Sequence, residues 1–100
     1  MNLSAARVRA SENVVTRKIY GETLLVPMRH DVAGVDGLLY LLPNDVSERA
    51  WELLSTETCL AELARVIAGE FEVSEDRVEA DLLAFLEQLA SIGAIEIREG

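Results

Sequence analysis

Leu38-Leu39-Tyr40-Leu41-Leu42 is apolar at every position, and Pro43-Asn44-Asp45 ends it. Successive side chains of a strand point to opposite faces, so either Leu38, Tyr40 and Leu42 or Leu39 and Leu41 cover a core, and the other set is left over. A chain of 100 residues forms one domain with a modest core, too small to cover both faces of such a strand with ease. As the last strand of a small sheet, this segment would expose unpaired N–H and C=O groups, with no lysine to discourage pairing. An uncharged edge beside spare apolar side chains suits an incoming peptide strand. The competing reading of this segment is a strand buried by helices of its own chain.

Upstream, Val14 to Tyr20 alternates, with Val15, Arg17 and Ile19 on one side and Thr16 and Lys18 on the other, which predicts a strand. Gly21-Glu22 reads as a two-residue type II′ turn, and Thr23 to Met28 as the returning strand. Pro27 has no N–H and belongs at the end of pairing or where that position faces outward. Arg29 to Gly37 reads as a loop, so the three strands form a meander. Residues 1–12 read as a flexible tail and residues 13–98 as the domain.

Downstream, Asn44 or Asp45 caps a first helix running to about Leu54, with Val46, Ala50, Trp51 and Leu54 on one face. Thr58 is the expected cap of a second helix carrying Leu60, Leu63, Ala64, Ile67, Ala68 and Phe71 at helical spacing. Ser74 caps a third, with Glu75 and Asp76 in its first turn, where the helix dipole favours acids. Val78, Leu82, Phe85, Leu89 and Ile92 step along its inner face, Gly93 stops it, and Ala94 to Ile97 reads as a short closing strand or wing. The predicted class is α+β, a three-stranded antiparallel sheet packed on a three-helix, winged helix-turn-helix-like unit.

The formal net charge of −9 is lopsided. The first fifty residues balance six basic against six acidic side chains; residues 51–100 hold Arg65, Arg77 and Arg98 against twelve acids. A recognition helix for DNA needs lysines and arginines for the phosphates, whereas the third helix offers Glu75, Asp76, Glu79, Asp81 and Glu87 against Arg77. Nucleic acid is therefore not the expected partner. No apolar run reaches the ~20 residues of a membrane span, residues 1–10 lack the apolar stretch of a signal peptide, and Cys59 is the sole cysteine, which points to the cytoplasm.

Catalytic and metal chemistry find little support. His30 is the one histidine, in a loop with Asp31 and Asp36, and a zinc or di-carboxylate site needs more converging groups. Cys59 falls just inside the second helix as a small half-buried residue. Neither a nucleophilic triad nor a phosphate loop is present. No catalysis, metal or cofactor is expected.

Gly21-Glu22-Thr23-Leu24-Leu25-Val26-Pro27, Leu39-Tyr40-Leu41-Leu42, Asn44-Asp45-Val46 and Ala50-Trp51-Glu52-Leu53-Leu54 together resemble the PqqD-like proteins, or RiPP recognition elements. Thr58 with Glu62-Leu63, Phe71-Glu72-Val73, Glu79-Ala80-Asp81 and Phe85-Leu86 carry the resemblance to about residue 95. Pro43, Ser47 in place of the usual Gly, and Ser55-Thr56-Glu57 in place of an Asp-Gly turn depart from the pattern. The resemblance implies a non-catalytic carrier that holds the leader of a ribosomally made precursor peptide as an added strand between the third strand and the third helix. It further implies presentation to a modifying enzyme, such as a radical SAM protein, or to a leader peptidase, in a pyrroloquinoline quinone, lasso peptide, sactipeptide or other peptide pathway.

On the third helix, Leu83, Leu86 and Ala90 make a second apolar stripe beside the first, with Glu79 above, so the apolar arc covers roughly half the circumference. That stripe reads either as deeper burial between neighbours or as one wall of a peptide groove. The expected peptide-binding residues are Leu38, Leu39, Tyr40, Leu41 and Leu42 on the strand and Glu79, Leu82, Leu83 and Leu86 on the helix. Leu83 and Leu86 are expected to face the peptide, and Phe85 and Leu89 the core. Three cross-strand hydrogen bonds at roughly 1 kcal/mol each fall short of the ~8 kcal/mol of micromolar binding, so apolar anchors are required. The alternative function is a structural or regulatory domain that forms a homodimer through the same edge.

Overall fold

The computed structural model describes residues 5–27, 40–42 and 44–99. Strand β1 runs Ala6–Ala10, β2 Val14–Ile19, β3 Glu22–Pro27 and β4 Tyr40–Leu41; helix α1 follows at Asp45–Leu53, then β5 Thr58–Cys59, α2 Leu60–Phe71, α3 Glu75–Ser91 and β6 Ile95–Glu99. The expected meander is present as an antiparallel sheet in the order β2-β3-β4, with Leu24 opposite Leu41 and Leu25 opposite Tyr40. Pro27 closes β3, at the end of pairing.

The hairpin turn differs from the expected one. Ile19 pairs with Glu22, so the turn residues are Tyr20 and Gly21, both at positive φ (52° and 82°), the signature of type I′. The register sets Lys18 opposite Thr23, and both side chains reach Oε1 of Glu48 on α1. Pairing thereby moves two residues from the expected register, an even step that leaves every side chain on its face.

Residues 6–10, read from sequence as part of a flexible tail, form β1. It pairs antiparallel with β6 along five residues and with β5 at Arg7–Cys59 and Val8–Thr58, giving a second sheet in the order β5-β1-β6. Ala6 and Val8 are buried, while Arg7 and Arg9 point outward to Glu57, Glu96 and Glu12. The alternation Ala-Arg-Val-Arg-Ala is itself a period-two pattern, but the strand it needs lies some ninety residues away. The closing strand β6 is thus one partner in this sheet.

Capping follows the local chemistry with one shift. Asn44 caps α1, its Oδ1 accepting from the backbone N–H of Ser47 at 2.9 Å. Ser74 precedes α3 as expected, whereas Cys59, not Thr58, is the cap residue of α2, because Thr58 is drawn into the ladder opposite Val8. Gly93, at φ +72°, ends α3 in a Schellman arrangement: its N–H donates to the carbonyl of Ala90 and that of Ala94 to Leu89. The core gathers Leu25 and Leu42 from the meander, Val8 and Ile95 from the small sheet, and Ala50, Leu54, Leu60, Leu63, Ile67, Val78, Leu82, Leu86 and Leu89 from the helices. Arg49 grips Glu70 through two hydrogen bonds of 2.8 and 2.9 Å and ties α1 to α2. No helix among the described residues is long and apolar enough to cross a membrane.

Candidate functional site

The alternation of an antiparallel ladder identifies which groups of β4 are free. The N–H of Leu42 donates to the carbonyl of Thr23 at 2.9 Å, so Leu42 and, two residues earlier, Tyr40 turn their backbone groups toward β3. Leu41 lies between them and turns its N–H and C=O the other way, to the open side of the sheet. Among the described strands β4 is one edge of its sheet, as the sequence suggests, and β2 is the other. Leu42 is buried on the same face as Thr23 and Leu25; Leu38 and Leu39 lie outside the described residues.

The chain leaves β4 and enters α1 through Asn44, and there a pocket opens between α1 and α3. Its volume is about 330 Å³. Asn44, Val46 and Ser47 form the α1 side, Val73 the approach, and α3 contributes Val78, Leu82 and Phe85 as floor and Arg77, Asp81, Ala84 and Gln88 as outer rim. Ser47 is buried and accounts for its hydroxyl by donating to Asn44 Oδ1 at 2.9 Å, so it adds no unpaired polar group to the pocket. Val73 is exposed at the mouth, since α2 ends at Glu72 in a left-handed conformation (φ 54°).

This geometry reassigns the two flanks of α3. At about 100° per residue, Arg77, Asp81, Ala84 and Gln88 fall on one line and Glu79, Leu83, Leu86 and Ala90 on another, each roughly 100° from the core-facing stripe of Val78, Leu82, Phe85 and Leu89 between them. Of the helix residues expected in the groove, Leu82 lines the pocket; Glu79, Leu83 and Leu86 are not among its described lining. Leu86, assigned from sequence to the groove wall, is 0 % exposed and lies in the core, while Glu79, Leu83 and Ala90 beside it are half-buried. Phe85, assigned to the core, is buried and also forms pocket floor. Outside the expected set, the pocket is also lined by Asn44, Val46 and Ser47 of the α1 side, by Val73, and by Arg77, Asp81, Ala84 and Gln88 of α3. The last four form an i, i+4, i+7, i+11 line of small, polar and charged residues beside the apolar stripe.

On the other side of α1 lies a smaller polar cavity formed by Thr16, Lys18, Thr23, Glu48, Trp51 and Glu52. Thr23 is 3 % exposed, and its hydroxyl donates to Glu48, which Lys18 also contacts at 3.1 Å. The Thr23 hydrogen bond and then Lys18 hold the Glu48 carboxyl below its ordinary pKa. Trp51 Nε1 donates to Thr16 Oγ1 at 3.1 Å. These contacts clamp β2 and β3 onto α1. Among the described residues, no three His, Cys, Asp or Glu side chains come together as a metal ion requires.

Comparison with known proteins bears on this arrangement directly. The solved structure of TbiB1 in complex with the TbiA(beta) leader peptide is similar at a TM-score of 0.70 and 28% sequence identity, covering 88% of this chain and 94% of that one. The comparison with curated protein sequences found no match. A family model described as coenzyme PQQ synthesis protein D (PqqD) matches residues 35–95, a span that takes in β4, the whole pocket and all three helices. Because that match covers more than half of the sequence and holds every described residue that lines the pocket, the chain belongs to the PqqD family.

Proposed function

We propose that this domain captures the leader of a ribosomally made precursor peptide as a strand added to the open side of β4, alongside α3, and presents it to a modifying enzyme. The observation that carries the reading is the position of β4: an edge strand whose Leu41 backbone groups face outward, leading straight into an apolar pocket between α1 and α3. Main-chain pairing supplies register and the pocket supplies apolar anchoring, which together bring a short segment into the micromolar range. The similar protein TbiB1 is itself in complex with a leader peptide, which supports the same ligand class here. The role is that of a carrier, with chemistry left to a partner such as a radical SAM enzyme or a leader peptidase.

The test is titration of a fluorescent leader peptide, taken from a precursor encoded beside this gene, into the full chain and into Leu41→Pro. Proline at 41 removes an outward N–H without touching the hydrogen bonds to β3. Saturable binding lost in a variant with an unchanged circular dichroism spectrum is the expected result. Equal affinity for both proteins rules out strand addition at β4.

A further inference from the structure

The rim of the pocket holds two charges without a partner among the described residues. Arg77 and Asp81 are exposed, stand four residues apart on the same line of α3, and make neither a hydrogen bond nor an ion pair among the described residues. The spacing would allow them to pair with each other, but a cation N-terminal to an anion at i, i+4 is the less favourable order on a helix. The other exposed arginines of the helices behave differently: Arg49 holds Glu70 and Arg65 holds Glu62. Arg77 is thus the one helix cation without an acid, at the mouth of an apolar pocket in a half-chain dominated by acids.

The spacing also matches one kind of ligand. Four residues of α-helix rise about 6 Å. Alternate residues of an extended strand, those sharing a face, repeat at about 6.6 Å. A strand lying along α3 therefore sets side chains i and i+2 level with Arg77 and Asp81 in turn, while an apolar side chain enters over Val78, Leu82 and Phe85.

We infer that the peptide taken up here carries an acidic and a basic side chain two positions apart, beside at least one apolar anchor, with the acid meeting Arg77 and the base Asp81. This rests on the strand-capture reading and narrows it to a sequence class. The order of the two charges along the peptide reports its direction against α3. Rim pairs of this kind are solvent-exposed and act on selectivity and association rate more than on total affinity.

A displayed library of random twelve-residue peptides, selected in parallel on the full chain and on Arg77→Glu at low salt, tests it. The expected outcome on the unaltered chain is enrichment of peptides with an acid and a base two positions apart, in one order. On Arg77→Glu the acid is replaced by lysine or arginine, and individually synthesised acid-bearing winners lose roughly tenfold in affinity. Winners that share apolar anchors but no charge pair, or an identical set from both proteins, overturn the inference and leave strand capture standing. A library that yields no winner on either protein, with both folded by circular dichroism, overturns both.

Discussion

Strands β2 and β4 are the two outer strands of one meander, and among the described residues neither has a further strand on its open side. Their side chains differ completely. β2 is Val-Val-Thr-Arg-Lys-Ile, with Arg17 and Lys18 at its exposed end, and it is fastened to α1 by Lys18–Glu48 and by Trp51–Thr16. The segment that contains β4 has five consecutive apolar residues and no charge, and two residues after it Asn44 joins the pocket lining. Charged edges resist pairing with another chain, and uncharged ones invite it. Among the described strands the sheet therefore has one edge with charged residues and one without, and the difference lies in side chains. Self-association through β2 would bring Arg17 and Lys18 against their own copies.

The contrast extends to the two flanks of α3, and the largest expected effect tests it there. Leu86→Glu places a carboxylate where no water reaches and should unfold the domain at room temperature, a loss of several kcal/mol. Ala84→Glu, on the exposed pocket rim, should change the melting temperature little yet weaken leader binding by about tenfold, because the new side chain occupies the groove. The reverse ranking in thermal melts would return Leu86 to the groove wall.

A second test sets the edges against each other. Leu41→Pro and Thr16→Pro each remove an outward-facing N–H, from β4 and β2 respectively. Leader affinity should fall tenfold or more in the first and stay within twofold in the second, though Thr16→Pro also gives up the Trp51 hydrogen bond, worth about 1 kcal/mol of stability. Equal losses of binding in both would show that the peptide does not discriminate between the edges.

The smallest effect concerns the clamp that holds the charged edge. Glu48 titrates below its ordinary value of 4.5 because Thr23 and Lys18 favour the carboxylate. A depressed folded-state pKa contributes stability that is fully present above the unfolded value and disappears as pH falls through the folded one. Thermal midpoints should therefore drop as pH is lowered from about 5 through the acid range, and Glu48→Gln should flatten that slope. A variant that melts with an unchanged acid slope would remove Glu48 from the clamp.

Much of this architecture is readable in the chain because it depends on neighbours in sequence. The alternation of 14–19, the stop at Pro43, the Asn44 and Ser74 caps and the Gly93 terminator all rest on a few adjacent residues. They specify β2, the end of β4, both ends of α3 and the start of α1, and the run Leu38–Leu42 points to the strand proposed to take the peptide. Tertiary structure alone decided three things. It made residues 6–10 a strand, since Ala6 and Val8 are buried only when β6, at the far end of the chain, pairs with them. It chose Tyr20-Gly21 over Gly21-Glu22 as the turn, since that register lets Lys18 and Thr23 converge on Glu48. It turned α3 so that Arg77, Asp81, Ala84 and Gln88 line the pocket while Leu86 is buried. A helix with apolar residues over half its circumference does not specify which side its neighbours will cover, and only the packing of α1, α2 and the small sheet around it decides that.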